Sequence, residues 1–394
     1  MEKPVRYRSR TPCMRRAIHI AIVALCCLGT LSSQTPEAAP AMSASANSYL
    51  DHVLDLMQQN ALHKKEIDWP ALRIETLWHA AGAQSTVDTY PGIFFAFSQL
   101  KEHHSFLRLP DNLSDSDQKR SAVALTNILG PRNRQLPRPP ASPFRTRIDP
   151  AGHLIHSEGL TFAYVVVPAC GSKHSNLEEN VADFQKYADT LHDISAGLEA
   201  SHPDGWVVDL RGNGGGNMYP MLAGIGFVLG EGTAGSFVLS EGNTQSVWSY
   251  RSGKAMVAEV VDAVVTKPPL TLTELPSVAV LIDSGTISSG EAIAVSFAGR
   301  PRARFFGTQT YGLASGNQMF RLADGAALFL NTTMDADRLG RKYPDGIEPD
   351  VSFPEPTTIP GEASDPALQA AEAWLSSLAS GGAKGASAAT PPKE

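Results

Sequence analysis

Cysteine is the scarcest chemistry in this 394-residue chain: there are four, and three of them (Cys13, Cys26 and Cys27) fall within the first 27 residues. Beyond that leader Cys170 stands alone, so no internal disulfide can form. Basic residues are outnumbered too. Without the six basic and two acidic residues of the first 41, 27 Lys and Arg remain against 38 Asp and Glu, a formal charge of −11. A chain of that sign has no electrostatic affinity for nucleic acid or for an anionic membrane surface. No His-Glu-x-x-His or comparable spacing gathers ligands, so neither a metal nor another cofactor is expected. The apolar run nearest to a membrane span, Ala17 to Leu31, is 15 residues long and contains His19, short of the ~20 residues a spanning helix needs.

That short run follows Lys3, Arg6, Arg8, Arg10, Arg15 and Arg16 and precedes Ala39-Pro40-Ala41, the pattern of a secretory signal with an Ala-x-Ala cleavage site. Export with cleavage after residue 41 is the expectation, with no membrane insertion afterwards. An uncleaved anchor and lipid attachment at Cys26 or Cys27 are the alternatives. With 42% hydrophobic residues, the rest of the chain can bury a substantial core, and its length suits two domains plus tails.

The segment 42–128 reads as helical. Leu50, Val53, Leu54 and Met57 share one face, and Asp68 caps a second helix ending near Gly82. A third runs through Ile93, Phe97 and Leu100; continued, that seam turns His104 inward and His103 elsewhere. A histidine on such a face is as readily a core residue as a reactive one. Residues 107–159 are Pro-rich with weak periodicity and read as loops, with a linker over 129–159. From Leu160 the pattern is strand (Phe162–Val167), helix (Leu177–Leu198), strand (Trp206–Leu210) and helix (Met218–Gly230), an α/β run. Residues 231–275 lack a clean period and read as an insertion or lid. Gln318–Thr333 reads as a hairpin turning at Asp324-Gly325. This core extends over 160–355; the remainder, 356–394, holds a short helix opened by Asp365-Pro366 and a disordered tail from Gly381.

Two stretches carry chemistry. Val278 to Glu291 places Ser288 between a buried strand and an Ala- and Val-rich helix. Its hydroxyl can face a cleft where the first helical N–H groups and the helix dipole stabilise an oxyanion. The same letters also spell a plain helix cap, with Glu291 returning to backbone N–H groups. Asp209-Leu210-Arg211-Gly212-Asn213-Gly214-Gly215-Gly216-Asn217 likewise lies between a strand and a helix. Its glycines permit close backbone approach and outward N–H groups. Their spacing is neither Gly-x-Gly-x-x-Gly nor a P-loop, which argues against a nucleotide site.

Asp-Leu-Arg-x-Asn-x-Gly-Gly, then Thr-x-Ser-Ser-Gly-Glu, then Gly-x-x-Thr-x-Gly and Gly-Ile-x-Pro-Asp (Gly346 to Asp350) resemble, in order, the tail-specific or C-terminal-processing serine peptidase superfamily, which includes the tricorn type. Leu100 to Phe106 resembles its Leu-x-Asp-x-His-Ser/Thr element. The likeness implies a mixed α/β (α+β) fold, a helical N-terminal domain followed by a ClpP/crotonase-like ββα-type peptidase core, acting on peptides or unstructured protein segments. It implies Ser288 as nucleophile, His104 as general base, and Gly215 or Gly216 with the Ser289 N–H as oxyanion donors.

Lysine-using members carry their base in Thr-Phe-Gly-Lys-Gly. Here that run is Thr310-Tyr311-Gly312-Leu313-Ala314, and leucine takes no proton, so either a histidine is the base or the protein is inactive. A neutral imidazole with an ordinary pKa of about 6.5 implies an acid limb near neutrality. Between Phe106 and Phe162 there is no room for a peptide-reading PDZ domain, so the arrangement most resembles the PDZ-lacking nisin-resistance type. Tyr343 stands about where the tricorn type places a glutamate, which leaves a third group orienting His104 unassigned. The alternative is a non-catalytic peptide- or lipophile-binding module on the same fold.

Overall fold

Leu50, Val53, Leu54 and Met57, spaced three and four apart, lay one apolar stripe along α1 (Ala44–Asn60), whose first turn is capped by the Ser43 hydroxyl accepting the Ala46 N–H. The computed structural model describes residues 41–135, 142–174 and 176–386; the predicted leader, but for Ala41, and residues 387–394 lie outside it. Next come α2 (Trp69–His79), capped by Asp68, and α3 (Tyr90–Gln99). The third helix ends earlier than its apolar seam suggests. Lys101 takes a left-handed backbone with φ 57°, which stops the helix, and His104 arrives on the turn that follows.

The described residues of 107–159, namely 107–135 and 142–159, carry regular structure where the sequence reads as loops and linker. They hold most of β1 (Phe106–Arg108), α4 (Asp115–Gln135) and β2 (Ala151–Ser157). Helix α4 packs Ala124, Ile128 and Leu129 against the core that the first three helices share with the hairpin, a stripe obscured in sequence by the polar Asp115-to-Arg120 start. Then follow β3 (Leu160–Val166), α5 (Leu177–Glu199), β4 (Gly205–Asp209) and α6 (Met218–Ile225). Residues 231–275 are not a lid but carry β5 (Gly232–Val238), β6 (Thr244–Arg251), β7 (Lys254–Val257) and β8 (Val260–Val264), each antiparallel to the next. Register shifts at Thr233/Gly235, Phe237/Val238 and Ala255/Met256 break the period of two that would have marked them as strands.

The chain continues through β9 (Val278–Ile282), α7 (Ser289–Phe297), β10 (Ala303–Gly307), β11 (Ser315–Arg321), β12 (Ala327–Asp337), β13 (Val351–Ser352) and α8 (Pro366–Ala386). The β11–β12 hairpin turns through Asp324-Gly325 as expected, Gly325 at φ 90°. Helix α8 continues past Gly381, where the sequence reads as tail.

One sheet runs β1-β12-β5-β6-β7-β8, with β11 on the other flank of β12; the second runs β13-β10-β9-β4-β3-β2. In the second, β13, β10, β9, β4 and β3 are parallel and β2 is antiparallel. Every residue of β4 and β9 is buried, as expected for parallel strands covered on both faces. Val208, Val280 and Ile282 face the core shared with α6, α7 and Trp248, whereas Val207, Ala279 and Leu281 pack on Leu368, Ala371 and Leu375 of α8. The N-terminal helices share their core with Leu322, Leu328 and Leu330 of the hairpin. The described residues from Ala41 onward accordingly gather into one compact unit.

Candidate active site

The chain leaves β9 at Ile282 and enters α7 at Ser289, with Ser288 as the N-cap at φ 54°, ψ −119°. A residue with a Cβ in that region carries about 1–3 kcal/mol of strain, which persists only where the surroundings impose it. Here Glu291 imposes it. Its buried carboxylate accepts the N–H groups of Ser288 (2.9 Å), Leu313 (2.8 Å) and Gly312 (2.8 Å) and the Thr310 hydroxyl (2.7 Å). The reading of Glu291 as a backbone acceptor therefore holds, and the same carboxylate ties the 310–313 segment to the serine turn. Burial pushes its carboxyl above the usual range while the four donors pull it back toward the ionised form.

The glycine loop is built around Asn213, which sequence reasoning missed. Its Oδ1 accepts the Gly215 N–H (3.0 Å), its Nδ2 donates to Val167 O (2.9 Å), and its carbonyl accepts the Ile287 N–H (2.8 Å). Gly215 and Gly216 sit at φ 96° and 113°, backbone that favours glycine. A Cβ on Gly215 would lie 3.0 Å from that of Ser288, so the two loops touch. The Ser289 hydroxyl adds a tie, donating to Gly216 O at 2.7 Å. Gly215's N–H is thus engaged, whereas the N–H groups of Gly216 and Ser289 take no acceptor among the described residues.

A buried ion network sets the loop from below. Asp209 Oδ2 accepts Arg211 Nη2 (2.7 Å), Arg147 Nη1 (2.9 Å) and the Tyr164 hydroxyl (2.5 Å); Arg211 Nη1 reaches Asp365, at the start of α8, at 2.7 Å. Burial pushes the Asp209 carboxyl up, but Arg211 and Arg147 outweigh it and hold the group well below the usual carboxylate range. Both guanidinium groups lie over the Phe144 ring, 4.1 and 4.5 Å from its centroid.

His104 meets Ser288 across 184 residues of chain: Nε2 lies 2.9 Å from Ser288 Oγ, and Nδ1 lies 2.8 Å from Ser315 Oγ. The turn that carries it is pinned by Glu102, whose carboxylate accepts the His104 N–H (2.6 Å) and the Ser105 N–H (3.0 Å). Asn317 Nδ2 donates to His104 O at 3.0 Å, and Ser105 Oγ accepts the Asn331 N–H at 2.8 Å. His103 is exposed. Desolvation pulls the imidazole pKa from 6.5 down to about 4, so the expectation of an ionisation near neutrality is revised. Tyr343 donates its hydroxyl to Asp337 Oδ2 at 2.7 Å. Ser315 and Asn317 had no signal in the sequence, since their partner lies on a distant turn.

Residues 162–353 match peptidase family S41, a span that includes Ser288 and the glycine loop but not His104. The nisin-resistance protein of Lactococcus lactis subsp. lactis is 25% identical over 312 residues, 78% of this chain and 83% of that one. A lipoprotein structure from Streptococcus agalactiae superposes with a TM-score of 0.61 at 22% identity, covering 85% of this chain and 97% of its own. A photosystem II D1 C-terminal processing protease gives 0.51 at 14% identity, covering 79% and 94%. At such identities the structural likeness establishes the fold alone, a helical N-terminal region followed by a mixed α/β core.

Proposed function

Because residues 162–353 match peptidase family S41, we propose that the chain is an exported serine peptidase in which Ser288 is the nucleophile and His104 its general base. The observation that carries this reading is the 2.9 Å approach of His104 Nε2 to Ser288 Oγ, within the reach that proton transfer requires. Neutral His104 takes the Ser288 proton as Oγ bonds to the peptide carbonyl carbon, and the carbonyl π electrons pass to oxygen. The backbone N–H groups of Ser289 and Gly216 are the oxyanion donors on this reading; that of Gly215 is held by Asn213. As the tetrahedral adduct collapses, the C–N bond breaks and imidazolium gives its proton to the leaving amine. Water then releases the acyl group by the same route. No step calls for a cofactor.

The substrate class is a peptide or an unstructured protein segment. The name of the Lactococcus relative makes nisin a sensible first peptide to try. Export rests on the basic leader and Ala39-Pro40-Ala41; among the described residues no helix is long and apolar enough to cross a membrane.

A fluorophosphonate probe tests the chemistry, since it reacts quickly only with an activated serine. Covalent label on Ser288, located by peptide mass spectrometry and lost in Ser288→Ala with the fold intact, is expected. Absence of label would favour a non-catalytic binding module, and label on another serine would place the nucleophile elsewhere.

A further inference from the structure

This inference rests on the Ser288–His104 reading and concerns what holds the imidazole in its working state. For Nε2 to accept the Ser288 proton, the resting ring must carry its hydrogen on Nδ1. An Nδ1–H left without an acceptor would let the ring flip or adopt the other tautomer. The acceptor that the fold supplies is the hydroxyl oxygen of Ser315, 2.8 Å away.

The placement of that oxygen is local in origin. Ser315 is the first residue of β11, its N–H is turned back onto Leu313 O at 2.8 Å, and the pairing with β12 slips between Gly316 and Asn317. A bulge at that point re-aims side chains. Ser315 reaches the ring while Asn317 reaches the carbonyl of the same histidine. Glu102 and Asn317 hold the His104 main chain, so the contact from Ser315 is left to set the ring.

We infer that Ser315 is a positioning residue for the reaction, a neutral acceptor that fixes the Nδ1–H tautomer and orientation of His104 where many serine hydrolases use a carboxylate. The charged groups on the surrounding elements are otherwise engaged or distant in role. Lys101 pairs with Glu66, Glu102 accepts main-chain N–H groups, and Glu291 at the start of α7 holds Ser288 N and the 310–313 segment. Asp335 on β12 is buried, and burial, followed by the charge of Glu291, raises its pKa, which favours the neutral acid. His103, on the same turn, is exposed. Desolvation alone moves the His104 pKa, as expected when no anion stabilises the imidazolium.

The test is the series Ser315→Ala, Ser315→Thr and Ser315→Asp, read by peptide kinetics, by fluorophosphonate labelling of Ser288, and by ¹⁵N-histidine NMR of the resting protein. Ser315→Ala is expected to lower kcat with KM unchanged, roughly 3- to 10-fold, the worth of one neutral hydrogen bond, and to weaken the Nδ1–H signal. Ser315→Thr keeps the hydroxyl and restores both. Ser315→Asp places an anion beside the ring, raises its pKa and moves the acid limb of kcat/KM upward, an effect that a merely structural serine would not produce. Ser315→Ala with unchanged kcat, or Ser315→Asp with an unmoved histidine titration, would overturn the inference. The NMR titration reads the Ser315–His104 contact without any turnover, and labelling of Ser288 reads the peptidase chemistry, so failure of one is distinguishable from failure of the other.

Discussion

His104 is held between two hydroxyls, Ser288 on Nε2 and Ser315 on Nδ1, and its desolvated surroundings set how the reaction responds to acid. On the proposed mechanism the neutral ring is the active form, so protonation would stop the reaction. With the pKa pulled down to about 4, kcat/KM on a single peptide should stay level from pH 7 to about 5 and fall only below that. A limb centred near the ordinary 6.5 would show a ring more solvated than this structure has it. A second residue with an unusual setting is Asp335, buried, its Oδ1 without a partner among the described residues. Burial and then Glu291 raise its pKa well above the ordinary value. A carboxyl whose folded pKa lies above its unfolded one contributes stability below the unfolded value and loses it as pH rises. Asp335→Asn should therefore change the melting temperature little at pH 4 and raise it at pH 8; a lower melting temperature at pH 8 would mean that the carboxylate has a partner. Ser288, His104 and the glycine loop could be picked out from short motifs, and the structure brings His104 and Ser288 within 2.9 Å of each other. Asn213 sat inside such a motif without its letter revealing its hydrogen bonds. Ser315, 211 residues from the ring it meets, was legible only in three dimensions.

The elements were legible in proportion to how uniformly they are buried. Strands β4 and β9, buried at every position, read as continuous apolar runs. Strands β5 to β8 did not, because register shifts interrupt their alternation, and α3 stopped early because Lys101 turns left-handed, which the letters of its apolar seam do not encode. Between β4 and α8 the Asp209–Arg211–Asp365 network joins the glycine loop to the last helix. Removing one partner leaves buried charge uncompensated, and Arg211→Ala should cost roughly 3–5 kcal/mol, measurable by urea unfolding. A loss within experimental error would mean that water or Arg147 takes over the pairing with Asp209.

For the whole molecule, the point of consequence is that the histidine and the serine come from parts of the chain that fold onto each other. Helices α1 to α3 bury Leu322, Leu328 and Leu330 of the hairpin, and the turn after α3 delivers His104 while the hairpin's first strand delivers Ser315. Deleting residues 42–104 should thus expose the apolar face of the hairpin along with removing the proposed base, and the truncated protein should aggregate on size-exclusion chromatography. A monodisperse, folded truncation would show that the S41 region stands alone. The pairing of Ser288 with His104 is tested most directly by kcat/KM for one peptide with wild type, His104→Ala and His103→Ala side by side. His104→Ala should lose activity on the order of a million-fold, the scale of losing either member of a serine–histidine pair, with His103→Ala close to wild type; a His104→Ala enzyme that still cleaves at a rate near wild type would contradict the pairing.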